Sequence, residues 1–104
     1  MYRPLSDAEL SLMQIMLLGV PVSLDLSPEA LSIVSVEDMD DGGMGSIKFV
    51  SDKLDRHLGE ELAREVFLDE DGVEVIVTLS LDKDGDLFEL DIWKVDFSPV
   101  VSLR

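Results

Sequence analysis

Aspartates at alternate positions followed by glycine occur twice in this chain, in Asp69-Glu70-Asp71-Gly72 and in Asp82-Lys83-Asp84-Gly85. Carboxylates so spaced resemble the opening of a calcium loop. The rest of such a loop is missing. An EF-hand places a third ligand before its glycine and a glutamate at the twelfth position, where counting from Asp69 reaches Ser80 and counting from Asp82 reaches Trp93. The reading that remains is two hairpin turns in which Asp and Gly supply backbone geometry, with weak cation binding as the alternative. Gly42, Gly43 and Gly45 form a third glycine-rich segment of the kind that can turn backbone amides toward a phosphate. Asp38, Asp40 and Asp41 precede it and no lysine comes before Lys48, so a bound anion would meet like charge and a hairpin turn is expected there too. His57, the single imidazole, lies in a charged stretch where exposure to solvent is its expected state. With 23 Asp and Glu among 104 residues, carboxylate pairs of the glycosidase kind arise from composition alone. No catalytic, cofactor-binding or metal-ligating residue is assigned, no cofactor is expected, and the chain is read as non-enzymatic.

The same acids are balanced by only 8 Lys and Arg, giving a formal charge of −15. Direct binding to nucleic acid is excluded by that balance, because phosphate contacts that release counterions need a basic surface. A hydrophobic fraction of 46% argues for a folded chain rather than an acidic disordered one. The length suits a single domain over residues 1–104. Without cysteine there is no disulfide, thiolate zinc site or thiol nucleophile, which fits a cytoplasmic location. The longest apolar stretch, Leu10 to Leu26, is interrupted by Ser11, Gln14, Gly19, Pro21 and Asp25, so neither a membrane helix nor a membrane partner is expected. No secretory signal peptide is recognised at the start of the chain.

The elements that must position any site are marked unevenly. Ser6 and Glu9 form a capping box, Leu5 and Leu10 a hydrophobic staple, and Gly19 and Pro21 a stop, which together predict a first helix. Leu10, Met13 and Leu17 follow its apolar stripe, and Leu12, Ile15, Met16 and Leu18 widen it until the helix needs cover on most sides. Met13 and Met16 are assigned to core filling rather than to an adaptable groove shared with Met39 and Met44. Residues 20–30 read as an extended connector or a short turn begun by Ser27 and Pro28, and Leu31 to Met39 as a strand. The Asp40-Asp41-Gly42-Gly43 turn then leads into Ile47, Phe49 and Val50. Leu54 and Leu58 suggest a short helical turn within 51–59.

From Glu61 onward three antiparallel strands are expected. Four-residue loops would set Leu68 opposite Val73, Val66 opposite Val75 and Leu62 opposite Leu79, with Arg64 a misfit opposite Val77. In the second hairpin they would set Leu81 opposite Asp86, Leu79 opposite Phe88, Val77 opposite Leu90 and Val75 opposite Ile92. The fold class is α+β: an N-terminal helix on one face of an antiparallel sheet of about five strands, ending in a three-strand meander.

The last strand leaves a second face, with Glu89, Asp91 and Trp93 pointing away from the core and Phe67, Ile76 and Glu74 expected beside them. Either residues 20–30 or 51–60 cover these rings, or the face is a protein contact in which aromatic anchors sit within a carboxylate rim that attracts a basic partner. The preferred function is therefore a non-enzymatic acidic binding module, inhibitor-like or immunity-like in one version. The alternatives are a homo-oligomeric structural or housekeeping protein joined through the first helix, and a weak cation-binding module.

Three segments also carry a family resemblance: Arg3-Pro4-Leu5-Ser6-x-x-Glu9, Asp41-Gly42-Gly43-Met44-Gly45-Ser46, and Leu87-Phe88-Glu89-Leu90-Asp91-Ile92-Trp93-Lys94-Val95-Asp96-Phe97. The chain resembles a family of small bacterial proteins known as a domain of unknown function. The resemblance implies a free-standing bacterial domain and brings with it no catalytic residue.

Overall fold

The structure is a computed structural model that describes residues 2–18, 20 and 26–102. Its elements are β1 (Tyr2–Pro4), α1 (Asp7–Met16), α2 (Pro28–Leu31), β2 (Ser35–Asp38), β3 (Ile47–Phe49), β4 (Leu58–Leu68), β5 (Glu74–Asp82) and β6 (Leu87–Lys94). The strands form one antiparallel sheet of six in the order β1-β2-β3-β6-β5-β4. The sixth strand is β1, which is too short for a sequence pattern to mark.

The expected capping box is present: the Glu9 amide donates to Ser6 Oγ at 3.1 Å and the Ser6 amide to Glu9 Oε1 at 2.8 Å. Arg3 then clamps the same glutamate and Asp38 of β2, tying the start of the helix to the first two strands. Helix α1 buries Leu12, Met13 and Met16 but leaves Ile15 exposed, as is Leu18 just beyond its end, so it is covered on one side and not on most. Its backbone packs beside β4, at one edge of the sheet. The Gly19 and Pro21 stop signals lie outside the described residues, as do residues 21–25 of the connector. Ser27 starts a turn as expected, its hydroxyl accepting from the Ala30 amide, but that turn is helix α2 and includes Leu31. The following strand accordingly begins at Ser35. Residues 51–57 hold no helical turn: they run from β3 to the far edge, and Arg56 pins them by donating to the Phe49 and Leu87 carbonyls.

Both later hairpins close with the same three-residue turn. The Asp69 amide donates to the Val73 carbonyl and the Gly72 amide to the Asp69 carbonyl, both at 2.9 Å; Asp82, Asp86 and Gly85 repeat the pattern at 2.7 and 3.0 Å. Gly72 (φ 82°) and Gly85 (φ 88°) supply the left-handed residue such a bulged turn requires. These turns replace the expected four-residue loops and change both registers. In the first hairpin Phe67 faces Val75, Val66 faces Ile76 and Arg64 faces Thr78. That slip of one residue, in force from Ala63 to Leu68, reverses the faces of this half of β4: Phe67 turns to the core side, whereas Val66, Leu68 and Arg64 turn outward. In the second hairpin Val75 faces Lys94, Val77 faces Ile92 and Leu79 faces Leu90, with a bulge between Ser80 and Leu81. The displacement beyond the bulge is two residues, so the expected faces of β5 and β6 survive even though the partners do not.

The core gathers Met13 and Met16 with Leu31, Val36, Ile47, Phe49, Val75, Val77, Leu79, Leu90 and Ile92. Strands β3 and β6 are joined over two register pairs, Ile47 with Leu90 and Lys48 with Glu89. Buried Ser46 adds to that contact: its hydroxyl donates to the Ile92 carbonyl and accepts from the Ile92 amide. Among the described residues no helix is long and apolar enough to cross a membrane.

Gly59 lies where β4 passes closest to the end of β5, and a β-carbon there would sit 2.3 Å from the Asp82 carbonyl oxygen. Since backbone must move to admit it, Gly59→Ala should lower stability by about 1–3 kcal/mol, read as a fall in the urea midpoint.

Candidate functional site

Each end of the β4-β5-β6 meander holds a buried carboxylate that organises its turn. Asp69 accepts the amides of Glu70, Val101 and Ser102 at 2.6 to 2.7 Å and the Lys94 ammonium at 2.7 Å. Lys94, also fully buried, completes its shell with Asp71 at 2.5 Å and the Pro99 carbonyl at 3.2 Å. At the opposite end Asp82 accepts the amides of Asp84 and Asp86 and is paired with Lys53 at 2.8 Å and Arg56 at 3.1 Å. Burial disfavours the charged form of Asp69, but the ammonium and three N–H donors outweigh it and hold the carboxyl far below the usual carboxylate range. Asp82 is lowered likewise, chiefly by Lys53, against the cost of burial.

The aspartate turns are thus built around protein cations and backbone amides. Lys53 Nζ touches Asp82, Asp84 and Asp86 together. Among the described residues no group of three or more His, Asp and Glu is placed to hold a metal ion. The glycine-rich turn follows the same logic, with Asp41 accepting the amides of Met44, Gly45 and Ser46. His57 is exposed, beside Asp55 at 2.7 Å.

What these anchors hold in place is the outer face of the sheet. Because residues opposite one another across antiparallel strands share a face, the register places Trp93, Ile76 and Val66 in one row and Asp91, Thr78 and Arg64 in the next. A third row runs across all six strands through Tyr2, Glu37, Lys48, Glu89, Ser80 and Glu61. Trp93 is 41% exposed, and Phe97 packs edge-to-face on it with ring centroids 4.8 Å apart. Phe97 has φ 66°, a left-handed conformation that a bulky side chain rarely adopts, and the residue is 69% exposed. Burial and then the neighbouring Asp91 charge push the Glu89 carboxyl up, with Lys48 opposing.

Five of the six residues expected to form the site therefore share this face: Glu74, Ile76, Glu89, Asp91 and Trp93. Phe67 does not. The one-residue slip puts it on the other side, where it lines a groove of about 490 Å³ with Leu12 and Ile15 of α1 and with Met44, Ile92 and Val100. Val66 and Leu68 take its place outside, and Phe97 joins them from beyond the last strand. Phe97 was open to inspection in the sequence, but nothing in its spacing marks the turn that returns it to Trp93. Residues 51–60 do not cover the rings, since they run at the Asp82 end of the sheet while Trp93 lies near the Asp71 end.

An acidic antiparallel-sheet protein with one face built around an exposed aromatic pair is the class these observations define. The chain belongs to the family described as a domain of unknown function (DUF6984), whose profile matches residues 2–104. No curated protein and no solved structure matches it.

Two outcomes follow from the buried pairs. Lys94→Met leaves Asp69 buried without its cation and should lower the thermal midpoint much more than Lys83→Met, which removes only an exposed pair with Asp55. Asp69 and Asp82 have folded-state pKa values below the unfolded value of about 3.9, so their stabilisation is complete above that pH and is lost as pH falls through it toward the folded values. Acid titration followed by circular dichroism should show stability declining below about pH 4, with a shallower slope for Asp69→Asn.

Proposed function

We propose that the protein is a non-enzymatic binding module whose outer sheet face docks a basic region of another protein, with Trp93 and Phe97 as anchors and Glu74, Glu89 and Asp91 as the surrounding acids. An inhibitor or immunity role is one form of this reading, and a cytoplasmic setting suits it.

The observation that carries it is Phe97. A left-handed backbone at a non-glycine residue costs on the order of 1–3 kcal/mol. Here the cost is borne to hold a ring that remains mostly in solvent. Asp96 stabilises the turn by accepting from the Ser98 amide and hydroxyl, so the ring is pre-positioned against Trp93 before any partner arrives. Pre-positioned aromatic surface at low conformational cost is what binding anchors need. The surplus of 15 negative charges selects a cationic partner and accelerates its approach. A cation placed beside Glu89 would also offset the burial and repulsion that raise its pKa, so binding should strengthen as pH rises through the titration of Glu89.

Trp93 is the sole tryptophan, and its emission reports docking directly. A partner captured at low salt and released at high salt, then purified and titrated, should shift that emission. Phe97→Gly should weaken the complex by about tenfold or more. Its stability should change by less than about 1 kcal/mol, since relief of the left-handed strain offsets the lost ring contact. Asp91→Asn should chiefly reduce the salt dependence. Unchanged affinity in Phe97→Gly, or unchanged Trp93 emission in the complex, would reject this face as the docking site.

A further inference from the structure

We propose that the open edge of β4 receives an extended, basic segment of a partner protein as a seventh strand of the sheet. This deepens the docking reading above and rests on it, because the added strand would lie beside Val66 and continue the Trp93-Ile76-Val66 row.

Strand β4 is last in the sheet order, and no described strand pairs with its outer side. The direction of its backbone groups follows from the turn. The Asp69 amide donates inward to Val73, so by antiparallel alternation Phe67, Glu65 and Ala63 also face β5, while Arg64, Val66 and Leu68 present N–H and C=O to the open side. Irregularities at Leu58, Glu61 and Ala63 break the register in the first half of the strand, but from Ala63 to Leu68 it is regular and can template another strand.

Long open edges are commonly protected by inserted charge or a covering segment. Here Val66 (55% exposed) and Leu68 (58% exposed) lie uncovered in that regular half, and a shallow recess follows the edge from Val66 to Gly72. The charge along it is one-sided. Glu60, Glu61, Glu65 and Glu70 accompany a single exposed cation, Arg64, which Glu61 already engages at 2.7 Å, while Asp71 is paired with buried Lys94. A second copy of this chain would bring the same acids against themselves. A strand alternating basic and apolar side chains complements both the carboxylates and the apolar pair.

The test uses the intact protein and a synthetic peptide of about eight residues alternating lysine and valine, with a glutamate–valine peptide as control. Amide hydrogen exchange at Arg64, Val66 and Leu68 should slow by about tenfold or more with the lysine peptide and remain unchanged with the control. Val66→Pro removes an outward N–H without breaking a ladder bond, so it should abolish this protection while keeping the circular dichroism spectrum of the parent. The exchange measurement on the unmodified protein decides the matter even if that variant fails to fold. Unprotected amides at all three positions, or equal protection by both peptides, would overturn strand addition. So would protection that rises with protein concentration in the absence of peptide, which would make a second copy the occupant. With the purified partner, loss of binding in Phe97→Gly but not in Val66→Pro rejects the edge and retains the face; the opposite pattern rejects the face.

Discussion

The Lys94–Asp69 pair is the interaction on which the architecture turns. In a chain with 23 acids and 8 basic residues, an ammonium is a scarce group, and this one is placed on the core side of the last strand with no solvent exposure. Taking it out of water is costly unless its donors are matched, and Asp69, Asp71 and the Pro99 carbonyl match them. Asp69 in turn gathers the amides of Val101 and Ser102, so one carboxylate joins the first turn of the meander, the end of β6 and the segment beyond it. That segment is where Phe97 lies. Phe97 is therefore held between Lys94 and its carbonyl partner at Pro99, and Trp93 immediately precedes the lysine.

The same economy governs the rest of the surface. Arg104 aside, every lysine and arginine engages a neighbour: Arg3, Lys53, Arg56, Arg64, Lys83 and Lys94 meet carboxylates, and Lys48 lies 5.2 Å from the centre of the Phe88 ring. With six of its eight basic side chains already committed to its own acids, the molecule leaves most of its carboxylates without an ion-pair partner among the described residues.

The parts of this arrangement that sequence reveals are those with a local signature. The Ser6–Glu9 capping box, the aspartate turns and the outward direction of Glu89, Asp91 and Trp93 depend on spacing within a few residues, and the structure has them. What fails is the counting of turn residues. A three-residue bulged turn and a four-residue loop have nearly the same composition, yet they differ by one position in register, and in a period of two that is enough to turn Phe67 inward and Val66 outward. The Arg64 misfit opposite Val77 is the trace of that error, since placing a cation on the core face conflicts with everything around it. Lys94 escapes notice for the opposite reason: a cation that belongs in the core differs from one that does not only through partners distant in sequence. Strand β1 and the return of Phe97 onto Trp93 are likewise products of tertiary contact.

The junction between β3 and β6 divides the sheet into two blocks, β1-β2-β3 and β4-β5-β6, along a seam only two register pairs long. Side chains rivet both ends of it: the Ser46 hydroxyl bridges to Ile92, and the Arg56 guanidinium bonds the Phe49 carbonyl on one block and the Leu87 carbonyl on the other. Mechanically, the molecule resembles two plates held by fasteners more than by weave. A load applied across the seam would meet a serine and an arginine in addition to the shared core, whereas the long ladders within the meander would carry it through many backbone bonds.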